Sequence, residues 1–414
     1  MTTRPLSSVL RSLLVILPVA SLAVGCGAGA GEDPTSESAA VSGSPRSLNI
    51  GFGGFGTAPG NDFGQFNAMK SFFAASVVQP GDRICHLYLP WNMGLLGPAD
   101  SNYPARQKFE SWIADANNPC VDTLITFQAS GTGESAHAPS DFHDVPGCTT
   151  CFGTAFKAFL DAFTPMWETG ANPDRKFSFT AWNEPNNGGG SGNGIGSKMS
   201  PITAGQYYLM ARHLCGADPS RCKVAAGDLG SNGGMIADYQ QNCASDVDSS
   251  LCPQASWLDR YKHFIAFHAD DPAFRLGGGF RPEYWAYHPW QVVNNYATWL
   301  DTGGQQGSRC TDDANCSTMA LLHSLGGSWS GGHIWDTEIG SGQGSSLSDE
   351  TQAKGAAYLL HIESSLTNRI WRIYYQGIET GSWQIICKGK ERPSFRVLAQ
   401  RDTSYNGGAT NTCN

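Results

Sequence analysis

Basic charge is scarce in this sequence. Of its 414 residues only 27 are Lys or Arg, against 36 Asp or Glu, a formal net charge of −9. With pI near 5.5 and no basic stripe to replace counterions, the chain is not built for a nucleic-acid partner. No Gly-rich phosphate loop joins a first strand to a first helix, and "GFGGFG" (51–56) is a weak, misplaced match. Nothing suggests a cofactor. The apolar run Leu13–Val24, "LLVILPVASLAV", is too short to span a bilayer as a helix. What is present is a soluble, globular composition: 40% hydrophobic, 15% charged, with 50 glycines that call for many loops.

The short apolar run has another reading. Arg4 and Arg11 precede it and Gly25-Cys26 follows, the order of a secretory signal over 1–25. "LAVGC" resembles a bacterial lipobox, with Ala23 where the motif prefers Leu, and the resemblance implies lipidation of Cys26 and anchoring to an envelope membrane. Ordinary signal-peptidase cleavage nearby, releasing a secreted protein, stays open. Residues 26–47, small, polar and proline-containing, read as a flexible tether.

Cysteine usage fits export. Of thirteen cysteines, setting Cys26 aside leaves twelve, an even number suited to disulfides in an oxidising compartment. A weighting toward short loops suggests Cys85–Cys120, Cys148–Cys151, Cys215–Cys222, Cys243–Cys252, Cys310–Cys316 and Cys387–Cys413. Connectivity does not follow from sequence.

From residue 48 the chain alternates strand-like and helix-like segments. Eight strand-like runs lie at 48–55, 84–91, 121–130, 176–184, 223–231, 284–290, 333–341 and 370–378. Amphipathic helices fit 62–77, 152–168, 203–216 and 350–366; in the second, Phe152, Phe156, Phe159, Leu160 and Phe163 keep helical spacing. This alternation predicts a parallel sheet, and eight repeats predict a single (β/α)8 TIM barrel with loop insertions over 48–414, expected to be a monomer. A doubly wound open sheet is the competing architecture.

In such a barrel, chemistry gathers where the strands end. "AWNEPN" puts Glu184 at the end of the fourth run, and "WDTEIG" puts Glu338 at the end of the seventh. A protonated and an ionised carboxyl group flanking one bond are what glycoside cleavage requires. Burial and mutual repulsion raise the pKa of one of the two. These motifs resemble the paired glutamates of clan A glycoside hydrolases, nearest to family thirty-nine-like or family-five-like members, with "AGD" at 226–228 a further landmark. The resemblance implies a retaining O-glycoside hydrolase acting on β-linked polysaccharide or oligosaccharide by double displacement. Glu338 would be its nucleophile, Glu184 its acid/base and Asn183 a contact to the sugar 2-hydroxyl.

Other positions depart from that pattern. "YWAYHPW" resembles the clan's H-x-Y segment through His288, but Trp290 stands where the tyrosine is expected, and alternation points Tyr287 the other way. His86 occupies a place where relatives often carry arginine. Trp91, Trp182, Trp285, Trp290, Trp335 and Trp383 are candidate sugar-stacking platforms, Trp91 and Trp383 foremost. His137, His143, Cys148 and Cys151 have zinc-like ligand types, although a disulfide is the expected state of the cysteines. The glycine-rich loop 186–200 is either a flap over substrate or a spacer. Two rivals follow: a non-catalytic carbohydrate-binding barrel, and a metal-dependent hydrolase using the His/Cys cluster.

Overall fold

Side chains of one face of each strand meet at the centre of a closed barrel. The computed structural model describes residues 49–55, 65–129, 133–168, 175–186, 199–216, 222–230, 256–289, 317–340, 348–365, 369–376, 385–387, 390–402, 404–405 and 407. The expected signal, the tether, Cys26, Trp290, Trp383 and loop residues 187–198 lie outside the described residues.

The strands are β1 (Asn49–Phe55), β2 (Ile84–Pro90), β3 (Asp122–Gln128), β4 (Lys176–Thr180), β5 (Lys223–Gly230), β6 (Tyr284–His288), β7 (His333–Ile339) and β8 (Ile370–Gln376). Each pairs in parallel with the next, and β8 returns to β1 from Asn49↔Arg372 to Gly53↔Gln376, closing the barrel. A helix follows every strand: α1 (Gln65–Ala75), α2 (Tyr103–Ala114), α3 (Phe152–Glu168), α4 (Pro201–Cys215), α5 (Trp257–His268), α6 (Ser317–Ser324), α7 (Asp349–Ser365) and α8 (Pro393–Gln400). A short antiparallel pair, β9 (Ile386–Cys387) and β10 (Lys390–Glu391), precedes α8. The architecture is therefore (β/α)8, and the open-sheet alternative is overturned by the β1–β8 pairing.

Alternation along the strands sorts residues into two layers. Outward residues meet the helices, as in the phenylalanine stack where Phe156 and Phe159 of α3 lie 4.9 Å from Phe179 and 5.4 Å from Phe127, ring centre to ring centre. Each such ring contributes roughly 1.5–3 kcal/mol through burial. Inward residues Ile84, Leu124, Ala225, Ala286, Trp335 and Tyr374 fill the barrel. Below them Arg372 donates to Asp122 at 2.6 Å and to Ser178 at 3.2 Å, pairing a charge that could not otherwise be buried.

Three disulfides are present among the described residues: Cys85–Cys120, Cys148–Cys151 and Cys215–Cys222. The other three expected pairings include residues outside the described set. With Cys148 and Cys151 joined to each other, and the His143 imidazole turned onto Asp141 at 2.6 Å, the expected disulfide takes the thiolates a zinc site would need.

Candidate active site

β4 stops at Thr180, so Glu184 is carried four residues beyond the strand rather than at its end. The backbone N–H of Asn183 donates to Phe127 O at 2.9 Å and that of Glu184 to Asp228 O at 3.0 Å, which continues the sheet pairing past the strand. Glu184 itself takes a left-handed conformation, φ 42°, uncommon for a residue with a side chain. Asn186 then exchanges two 2.9 Å hydrogen bonds with the backbone of Gly230. Glu338 sits on β7 beside a register shift between Asp336 and Ile339. The irregularity lets Thr337 and Glu338, neighbours in sequence, both reach the site.

A second bulge supplies an unforeseen carboxylate. In β5, Ala225 faces the barrel interior and Ala226 the helices, so regular alternation would turn Asp228 outward. The register shifts between Gly227 and Leu229, with φ of 94° at Gly227 and 63° at Asp228, and Asp228 swings inward. Only glycine suits position 227: a Cβ would lie 2.9 Å from Leu229 Cγ at a φ that side chains rarely adopt. Asp228 is fully buried and accepts from Thr337 Oγ1 and from His288 Nε2 at 3.2 Å. Thr180 and Thr126 approach its other oxygen at 3.1 and 3.2 Å.

His288, at the end of β6, joins these groups. Its Nε2 faces Asp228, while its Nδ1 lies 2.9 Å from Glu184 Oε1 and 3.2 Å from Glu338 Oε2. One atom each from Glu184, His288 and Glu338 lies within 4.8 Å of the others. Burial pulls the His288 pKa down, but Glu338, Asp228 and Glu184 outweigh it and hold the pKa well above the ordinary histidine range. Burial likewise opposes charge on Asp228, yet His288, His86 and Thr337 keep its pKa below the usual carboxylate value. At Glu338 burial wins: with repulsion from Glu184 and Asp228 it lifts the pKa to about 7, against the opposing pull of His288 and Tyr88. These three side chains, two carboxyl groups and one imidazole, could in principle hold a cation. With its pKa held well above the ordinary histidine range, His288 keeps a proton on Nδ1 at neutral pH, and a cation bound there would have to displace it.

No family model matches the sequence, and no curated protein matches it. Among solved structures, a GH5_18 enzyme from Bifidobacterium longum subsp. longum aligns with TM-score 0.51 at 11% identity, covering 88% of this chain and 81% of that one. A variant of that enzyme in complex with Manb1-4GlcNAc aligns with TM-score 0.50 at 12% identity, over 87% and 80%. A GH39 β-xylosidase from Caulobacter crescentus gives TM-score 0.50 at 11% identity, over 89% and 74%. The fold is that of these glycoside hydrolases.

Against that barrel, several sequence expectations change. Tyr88, which sequence reasoning missed, donates to Glu338 Oε2 at 3.1 Å. Burial and the surrounding carboxylates raise its pKa well above the phenol range, so it keeps its proton and must donate. Strand alternation could have found it: Tyr88 lies two residues after His86, on the same face and nearer the barrel mouth. Tyr287 is no site residue, since β6 runs without a bulge and its side chain packs in the outer core. His86 does not line the cleft either. It is fully buried, with Nδ1 2.8 Å from Thr337 O and Nε2 2.7 Å from Thr126 Oγ1. Burial lowers its pKa to about 4, so it is a neutral group on the floor of the site.

Trp91 is also a core residue, fully buried with its indole N–H on His137 O at 2.7 Å, and offers no face to a sugar. Trp182, Trp285 and Trp335 are buried as well. Asn183 is nearly buried beside Glu184, its amide 3.5 Å from Gln128 Oε1, and its Oδ1 has no hydrogen-bond partner among the described residues. That oxygen is an acceptor awaiting a hydroxyl donor.

Proposed function

We propose that this chain is a retaining glycosidase acting on β-linked saccharides, with Glu338 as nucleophile and Glu184 as acid/base. The observation that carries the reading is the meeting of the two carboxyl groups, from β7 and from the segment after β4, with oxygens no more than 4.8 Å apart around His288. That approach is in keeping with the closely set pairs of retaining enzymes, about 5–5.5 Å between carboxyl groups, rather than the wider pairs of inverting ones. Donors favour the same division of roles. Glu338 accepts from Tyr88, a donor that supports a carboxylate during attack, while His288 Nδ1 lies between the two glutamates, 2.9 Å from Glu184 and 3.2 Å from Glu338; Glu184 is the more exposed of the two, at 23% against 16% of the side chain. The fold shared with the GH5_18 and GH39 enzymes, and the Asn183-Glu184-Pro185 motif, support it further.

In the first step a Glu338 oxygen bonds to the anomeric carbon, the glycosidic bond breaks, and Glu184 gives its proton to the departing oxygen. In the second, Glu184 takes a proton from water, which displaces Glu338. The disulfides and the N-terminal signal-like segment support an exported protein, and "LAVGC" supports a lipid on Cys26.

A panel of aryl β-glycosides and β-linked polysaccharides, with product anomers followed by NMR, tests the reading. Retained configuration is expected, with Glu338→Ala losing turnover of the order of a thousandfold or more and regaining part of it with azide. An inverted product, or full activity in Glu338→Ala, overturns it. Binding without hydrolysis would instead establish the carbohydrate-binding alternative.

A further inference from the structure

Four strands aim polar groups at one buried carboxylate that the reaction as written does not use. Asp228 accepts from His288 of β6 and Thr337 of β7, and it lies within hydrogen-bond distance of Thr180 of β4 and Thr126 of β3. A consistent proton assignment exists for this cluster. His86 Nδ1–H donates to Thr337 O, so His86 Nε2 accepts from Thr126, and the single Thr180 hydroxyl proton lies between Thr126 Oγ1 at 2.6 Å and Asp228 Oδ2 at 3.1 Å, which leaves Thr126 no proton for Asp228. Every donor then has an acceptor, and Asp228 is left ionised with His288 Nε2–H directed at it. The backbone of the same residue accepts from Glu184 N–H, so Asp228 holds both the acid/base and the histidine beside it.

We propose that Asp228 is a positioning residue that locks His288 as an imidazolium whose Nδ1–H serves Glu338 and Glu184 in turn. This rests on the glycosidase reading above. The charge bookkeeping of the first step shows why one donor reaching two acceptors is useful. Before it, Glu338 is the carboxylate and Glu184 the acid. After it, Glu338 is a neutral ester and Glu184, having lost its proton to the leaving oxygen, is the carboxylate. One negative charge has moved between two groups that lie 3.2 and 2.9 Å from the same nitrogen. The Nδ1–H follows that charge by a small change of hydrogen-bond direction, while the Asp228 carboxylate prevents the ring from turning. Deglycosylation returns the charge and the donor to Glu338. The charged and titratable groups facing His288 are Glu184 after β4, Asp228 on β5, Glu338 on β7, and His86 and Tyr88 on β2. Among the described residues of this cluster, His288 is the cation, since His86 is neutral.

The test is a pH titration of 15N-histidine-labelled full-length protein, with the His288 resonances assigned from a His288→Gln spectrum. Expected in the wild type is a ring protonated on both nitrogens at neutral pH, a measurement that needs no variant to fold. In Asp228→Asn, close to isosteric, the His288 titration should move down by a unit or more. On the best aryl glycoside its kcat should fall about 10- to 100-fold, with KM changed less. A neutral His288 in the wild type at neutral pH, or an unmoved titration in Asp228→Asn, overturns the proposal. So does an unchanged kcat in that variant. A wild type with no turnover on any glycoside defeats the glycosidase reading and the alternating role with it, while the titration still decides whether Asp228 keeps His288 charged.

Discussion

The hydroxyl of Tyr88 donates to Oε2 of Glu338 at 3.1 Å, joining β2 to β7 across the barrel mouth between residues 250 apart in the chain. The bond favours the ionised form of Glu338 and opposes the burial that disfavours it. Removing the hydroxyl in Tyr88→Phe should therefore raise the Glu338 pKa. Kinetics should show the acidic limb of kcat/KM moved toward higher pH and kcat reduced about tenfold, with little change in thermal midpoint. An unmoved limb would mean that the Tyr88 bond does not govern the charge on Glu338.

Activity should rise with pH through about 7. Glu338 attacks only when ionised, and burial with two neighbouring carboxylates lifts its pKa to about 7, so the nucleophile is mostly protonated below that pH. The two limbs of such a profile report the carboxyl pair rather than either residue alone. A kcat/KM profile already flat near pH 5 would contradict this charge assignment.

Glu338 should also cost stability when it ionises. Its folded pKa lies above its unfolded value of 4.5, so the folded state binds the extra proton. Its contribution is favourable at low pH and is lost as pH rises through about 7. The difference is roughly 3 kcal/mol, at about 1.4 kcal/mol per pKa unit. Glu338→Gln should therefore raise the thermal midpoint by a few degrees near pH 8, and by less near pH 5. Melting curves at the two pH values check the sign.

Gly227→Ala tests the bulge. The added Cβ would meet Leu229 and the Ala286 carbonyl at a left-handed φ, a strain of about 1–3 kcal/mol. Because relief of that strain reorients Asp228, kcat should drop further than the fraction of folded protein does. Urea unfolding and kinetics on the same preparation separate the two effects. Lost stability with full kcat in the remaining folded enzyme would show that Asp228 keeps its aim without the bulge.

Strand–helix rhythm, the Phe152, Phe156, Phe159 and Phe163 stripe and the two glutamate motifs were legible along the chain, because each is a matter of local spacing and chemistry. Tyr287 is put forward as a substrate contact even though a period of two along an unbroken strand turns it outward, and it packs in the outer core. Tertiary structure decided the rest. Asp228 reads as an outward residue until a two-residue bulge reverses it, and Trp91 reads as a platform until the surrounding core closes over it. The charges on His86, His288 and Glu338 depend on how much water is removed and which partners six different strands bring near. Two histidines of the same residue type end with pKa values displaced in opposite directions for that reason. A linear pattern carries the period of a strand, but the electric field at a point inside the barrel is a sum over residues that are neighbours only once the sheet has closed.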